Sequence, residues 1–197
     1  MRKDGTWRFD TEAGRDEILF RRIGRNELNT IQAILAYVDA QQEYAEKGIG
    51  GNGVYAQRIV SQPGKKDGLY WPVQFGEDES PLGELAAAAS AAGYRASQQR
   101  QPYHGYYDKI LTRQGPNAPG GAIDYVVKGR MMGGFALVAY PAEYRNSGVM
   151  TLIVNHQGIV YQKDLGPNTT GIASGMTAYN PDSTWERVAE DATQPPK

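Results

Sequence analysis

From residue 11 the apolar positions of this chain recur at a helical period. In "TEAGRDEILFRRIG" acidic Glu12 and Asp16 come early and Ile18, Leu19 and Ile23 follow. Gly24 is expected to interrupt the pattern, leaving Asn26 to cap a second, stronger helix over residues 27–47. Within it Leu28, Ile31, Leu35 and Val38 fall on one stripe, with Ile34 at its edge. Ala33, Tyr37, Ala40 and Tyr44 form a second, milder stripe, so this helix is expected to be covered on two sides. Glycines in "KGIGGNG" stop it.

A loop-rich middle follows, with "GLYWPVQFG" as a short strand candidate. "ESPLGELAAAASAAG" predicts a further helix, capped by Ser80, opened by Pro81 and closed by Gly93. The period then changes to two. "HGYYDKILT" and "GGFALVAYP" read as strands, with a short strand between them over Asp124–Lys128. "NSGVMTLIVNHQGIVYQKDLG" reads as a hairpin around a three-residue loop, His156-Gln157-Gly158. That register sets Ile153 opposite Tyr161 and Leu152 opposite Gln162. Met150, Leu152, Val154 and Val160 then share one face, which is expected to lie on the Leu28–Val38 stripe. Thr151, Ile153, Tyr161 and Lys163 share the other, which is expected to be exposed. "PDSTWERVAED" suggests a last helical turn. Helices first and strands afterwards predict an α+β fold. A long N-terminal helix packs on one face of a C-terminal antiparallel sheet of three or four strands, with a loop-rich middle and a second helix. Residues 1–190 form one domain in this reading, and 191–197 a disordered tail.

Composition narrows the function classes. Lys plus Arg number 21 against 22 for Asp plus Glu, without the basic excess of a phosphate-binding surface, so no nucleic acid partner is expected. There is no cysteine, which removes disulfides, thiolate nucleophiles and cysteine-based metal sites. No run approaches the roughly 20 apolar residues of a membrane span. "MRKDGTWRFD" has no apolar stretch after its basic start and does not read as a signal peptide.

Candidate chemistry is sparse. The chain has two histidines. His156 sits in the hairpin turn, where it reads as a solvated turn residue. If "QPYHGYYDKI" is a strand, His104, Tyr106 and Asp108 share a face and an acid–imidazole pair is available for hydrolysis. The thirteen tyrosines are the one compositional excess. Tyr103, His104, Tyr106 and Tyr107, with the outward hairpin residues Ile153 and Tyr161, make an aromatic surface for a sugar or peptide. No catalytic set, metal site or cofactor is assigned.

The stretches "GTWRFDTEAGRDEIL", "RRIGRNEL", "YVDAQQEYA", "QPYHGYYDKIL" and "GGFALVAYPAEYRNSGVMTLIVNHQGIVYQKDLG" together resemble a bacterial family, domain-of-unknown-function family 2950, in collinear order. The resemblance implies export, hence a periplasmic or secreted protein that meets an envelope component, protein or glycan. It also implies that this chain is an amino-terminally trimmed member whose signal peptide has been removed. It carries no activity and no site residues. The helix, loop and final strands are also similar to the globular heads of type IV pilins and type II secretion pseudopilins, except that Arg21, Arg22 and Arg25 stand where a pilin helix is apolar. The expectation is therefore a non-enzymatic envelope-associated binding module. The alternatives are a hydrolase using His104 and Asp108, or a minor pilin-like subunit.

Overall fold

A computed structural model describes residues 2–3, 6–7, 10–91 and 101–193. Two short strands, β1 (Arg2–Lys3) and β2 (Thr6–Trp7), pair antiparallel and precede a single helix α1 (Thr11–Glu46). α2 (Gly83–Ala91) follows the loop-rich middle. Next come β3 (Tyr106–Leu111), β4 (Arg113–Gln114), β5 (Ile123–Asp124), β6 (Val126–Val127) and β7 (Arg130–Met131). β8 (Ala136–Pro141), β9 (Met150–Asn155) and β10 (Tyr161–Asp164) lead to α3 (Thr169–Gly175), β11 (Ala178–Tyr179), β12 (Glu186–Arg187) and a 3-10 turn over Glu190–Thr193. The fold is α+β, with α1 against a C-terminal antiparallel sheet in the order β12-β10-β9-β8-β3.

α1 is one helix, not two. Asp10 caps it by accepting from Ala13 N at 3.1 Å, and Gly24 lies in its interior with nothing within 4 Å of the Cβ position. A lone helical glycine costs about 1 kcal/mol, too little to break a helix held by packing further along. Asn26 does not cap; its side chain reaches Ser147 O at 2.9 Å. Gly24→Ala is therefore expected to stabilise the protein by about 0.5–1 kcal/mol in urea unfolding. A loss of stability would mean that the helix is not continuous there.

The hairpin register is as expected, Ile153 facing Tyr161 and Leu152 facing Gln162. Its turn closes through Gly158 N to Asn155 O, with Gly158 at φ 73°. β9 is central, between β8 and β10, and both its faces are covered. α1 packs on the Leu152 and Val154 face. On the other, Lys109 Nζ donates to Ser174 O and Met176 O, and the Tyr161 and Tyr179 rings lie 6.4 Å apart. α3 and β11 thus form a third layer that the period-two pattern does not announce. Ile153, expected at the surface, is buried.

The contact arc of α1 also differs. Leu28, expected inside, is exposed, while Ile34, Tyr37, Val38, Ala40, Gln41 and Tyr44 are buried. At about 100° per residue, Ile34 and Gln41 lie between the two expected stripes. The stripes are the shoulders of one arc, whose middle carries polar side chains that find partners. Towards the N-terminus Ile18 and Phe20 are exposed.

Several smaller expectations change as well. α2 starts at Gly83 rather than Pro81, and the Ser80 hydroxyl is buried without a hydrogen-bond partner. Gly93 lies outside the described residues. "GLYWPVQFG" contributes a bridge of Tyr70 to Val60 instead of a strand. The 124–128 segment splits into β5 and β6 around the buried Tyr125. The final segment supplies β12 against β10, then the 3-10 turn, where Gln32 Nε2 donates to Ala192 O at 3.4 Å. Residues 194–197 lie outside the described range.

Candidate functional site

Tyr103 and Tyr106 exchange both backbone hydrogen bonds, at 2.8 and 2.9 Å, around His104 and Gly105. Both central residues have positive φ, 48° and 75°, which makes this a tight turn of the hairpin type before β3 begins. His104 is thus in a turn rather than in the strand, and the alternation that set it over Asp108 does not operate. Its Nδ1 lies 3.3 Å from Asn29 Nδ2, and its ring packs on Tyr103 at 4.1 Å between centroids.

Below the turn, Tyr106 is buried and donates to Met150 O at 2.9 Å. Burial, reinforced by the Glu27 carboxylate, raises its phenol pKa far above the usual range. Glu27 Oε1 accepts from Val149 N at 2.9 Å and Met150 N at 3.0 Å, while Arg22 donates to Asn146 O. These side chains clamp the 143–149 loop onto α1. Tyr106 is a structural member of that clamp. Tyr107 is half-buried, its ring 5.9 Å from that of Tyr140. Of the six predicted binding residues, only Tyr103, His104, Tyr107 and Tyr161 keep partial exposure.

The other histidine departs from its expected solvated state. His156 is half-buried and meets the Tyr125 ring at 6.0 Å and the Phe135 ring at 6.2 Å, both edge-on. The arm over residues 123–135 folds across the hairpin tip. Gly134, at φ 132°, permits the approach, since a Cβ there would lie 2.8 Å from His156 Nδ1. Beside it Tyr125 Oη donates to Gln114 Oε1 at 2.7 Å, and burial pushes the Tyr125 phenol up to about 12.

Burial lowers both imidazole pKa values. Unfolding restores the ordinary value near 6.5, so just below that pH the unfolded chain binds more protons than the folded one. Their contribution to stability is complete above about pH 6.5 and is lost as pH falls through the depressed folded values. Urea unfolding from about pH 7 down to about pH 5 should show falling stability, with a shallower fall in His104→Gln and in His156→Gln. Identical slopes in wild type and variants would remove this linkage.

A concavity with room for a ligand lies elsewhere. A groove of about 590 Å³ runs along the outer side of β3 and is lined by Gln57–Gln62, Lys109 and Ile110. Its far wall is the segment 58–61, held in place by Ser61 N to Tyr70 O and Tyr70 N to Ile59 O, both 2.8 Å. Arg58 sits on that wall, half-exposed, with Nε 3.7 Å from Asp67. Lys109 is steadied by the two carbonyls at the end of α3. The groove therefore carries positive charge on a rigid frame. Most of these residues are neutral, so their side-chain chemistry does not mark them in the sequence. The only signal was "RIVSQ", a short apolar pair between polar residues. Among the described residues no group of three or more His, Asp or Glu side chains is placed to hold a metal ion. Among them, too, no helix is long and apolar enough to cross a membrane.

A family model described as protein of unknown function (DUF2950) matches residues 1–188. No curated protein and no solved structure matches, so the expected likeness to a pilin head has no solved counterpart.

Proposed function

The chain belongs to the DUF2950 family, and on that premise we propose that the protein is a non-enzymatic, exported binding module. Its ligand is an envelope component, and its binding site is the groove beside β3. The groove is the observation that carries this reading. Its volume of about 590 Å³ falls within the roughly 300–1,000 Å³ usual for ligand sites. Both walls are fixed by backbone hydrogen bonds, so little ordering is needed on binding. Export and the envelope partner rest on the family resemblance, as does the treatment of residues 1–190 as one domain.

Hydrogen exchange of the purified chain, with and without a soluble extract of the bacterial envelope, tests the reading. Protection at residues 57–62 and 109–110 is expected. Unchanged exchange there would overturn it. So would turnover of a cell-wall, ester or phosphoester substrate that a single side-chain change such as His104→Gln abolishes. Fractionation of the full-length gene product should place it with periplasmic or secreted markers, and recovery with a cytoplasmic marker would remove the export part.

A further inference from the structure

The two walls of the groove have one feature in common, which is the direction of their backbone groups. Tyr106 exchanges both its hydrogen bonds with Tyr103, on the side of β3 away from β8. Backbone groups alternate sides along a strand, so Ile110, four residues on, also turns its N–H and C=O away from β8 and toward the groove. On the opposite wall, Ile59 and Ser61 hold Tyr70 in a parallel bridge centred on Val60. That geometry sends the N–H and C=O of Val60 to the other side, again toward the groove. Ile110 and Val60 both line it. The space is thus bounded by the β3 edge and by a bridged extended segment, each presenting a donor and an acceptor.

We propose that an extended peptide segment bearing an acidic side chain adds as a strand in this groove, pairing with Ile110 on one side and Val60 on the other. This rests on the reading of the chain as a binding module and names the chemical class of its ligand. A strand placed between two edges satisfies backbone groups on both its sides, the arrangement by which peptides augment sheets. Charge complementarity gives the acidic side chain. The lining residues include Arg58 and Lys109 and no carboxylate. The partners of Lys109 Nζ are neutral carbonyls, which leave its charge uncancelled, and Arg58 is held by Asp67 only at 3.7 Å. A glycan would meet the same charges but has no repeating N–H and C=O to match the two edges.

The test titrates the whole chain, with backbone amides resolved by NMR, against a pool of acetylated hexapeptide amides. These alternate Val and Thr and carry one Glu at a varied position. Shifts and exchange protection are expected at the amides of Val60 and Ile110. Methylating alternate peptide nitrogens should weaken binding about tenfold, by removing the donors of one edge. Arg58→Gln should weaken the Glu peptides about threefold and leave the matching Gln peptides unchanged, with an unaltered thermal melt as control. Equal binding of the methylated peptides overturns the inference, as does protection of these amides by a chito-oligosaccharide but not by peptides. Protection by the envelope extract without any peptide effect overturns the inference alone and leaves the binding reading standing. If neither extract nor peptide moves these amides, both fall.

Discussion

Gln41→Ala is expected to cost about 3–5 kcal/mol of folding stability and to lower the melting temperature by on the order of 10 °C. Gln41 is fully buried in the middle of the α1 contact arc. Its Nε2 donates to Ala56 O at 2.8 Å and to Tyr37 Oη at 3.0 Å, and its Oε1 accepts from Ala56 N at 2.8 Å. The alanine variant leaves both backbone groups of buried Ala56 without partners and opens a cavity. Each buried unpaired group costs about 1–3 kcal/mol, so loss of the hydrogen bonds outweighs loss of packing. Gln41→Leu separates the two effects, because it fills the space and makes no hydrogen bond. It should be nearly as unstable as the alanine variant. If Gln41→Leu unfolds at wild-type urea concentration, the tie to Ala56 is not what fixes the 54–56 segment.

Gly148→Ala is expected to destabilise by about 2–3 kcal/mol through overpacking. A Cβ at this position would overlap Tyr106 Oη and lie 2.5 Å from atoms of its ring. The ring cannot swing aside cheaply. It is buried, and its hydroxyl is held by Met150 O and by the Glu27 carboxylate. Adding Tyr106→Phe to this variant removes the closest clash but not the one with the ring, so it should restore only part of the loss. Thermal unfolding of the single and double variants checks both statements. A Gly148→Ala melt equal to wild type would show that the clamp between α1 and the 143–149 loop is loose. Because Gly148 is not at positive φ, the effect belongs to space and not to backbone strain.

The groove was hard to find in the sequence for a reason that the hairpin makes plain. A hairpin is specified locally, by Asn155, Gly158 and the alternation on either side. The groove joins residues 57–62 to Lys109 and Ile110, and its distinctive chemistry is backbone direction, which no side-chain motif encodes. The strand premise behind the His104 pairing does not hold, for the converse reason. Alternation assumed a strand, but His104 and Gly105 take positive φ and turn the chain before the strand starts. The turn by itself leaves His156 in solvent, whereas an arm more than twenty residues upstream covers it.

By itself the sequence determined the α+β order, the identity of the main strands and the Ile153–Tyr161 register, because turn chemistry and periodicity act over a few residues. The tertiary structure alone decided which faces are dry. Alternation says that Thr151, Ile153 and Tyr161 share a face, but only the third layer of α3 and β11 buries Ile153. It also decided the contact arc of α1. Glu27, Thr30 and Gln41 interrupt that arc as polar letters in the sequence, and in the fold each is satisfied by a backbone group, two of them by distant chain. Hydrophobicity read residue by residue assigns such positions to solvent. A hydrogen-bond partner, from distant chain for Gln41 and from the preceding helical turn for Thr30, lets a polar side chain be buried there.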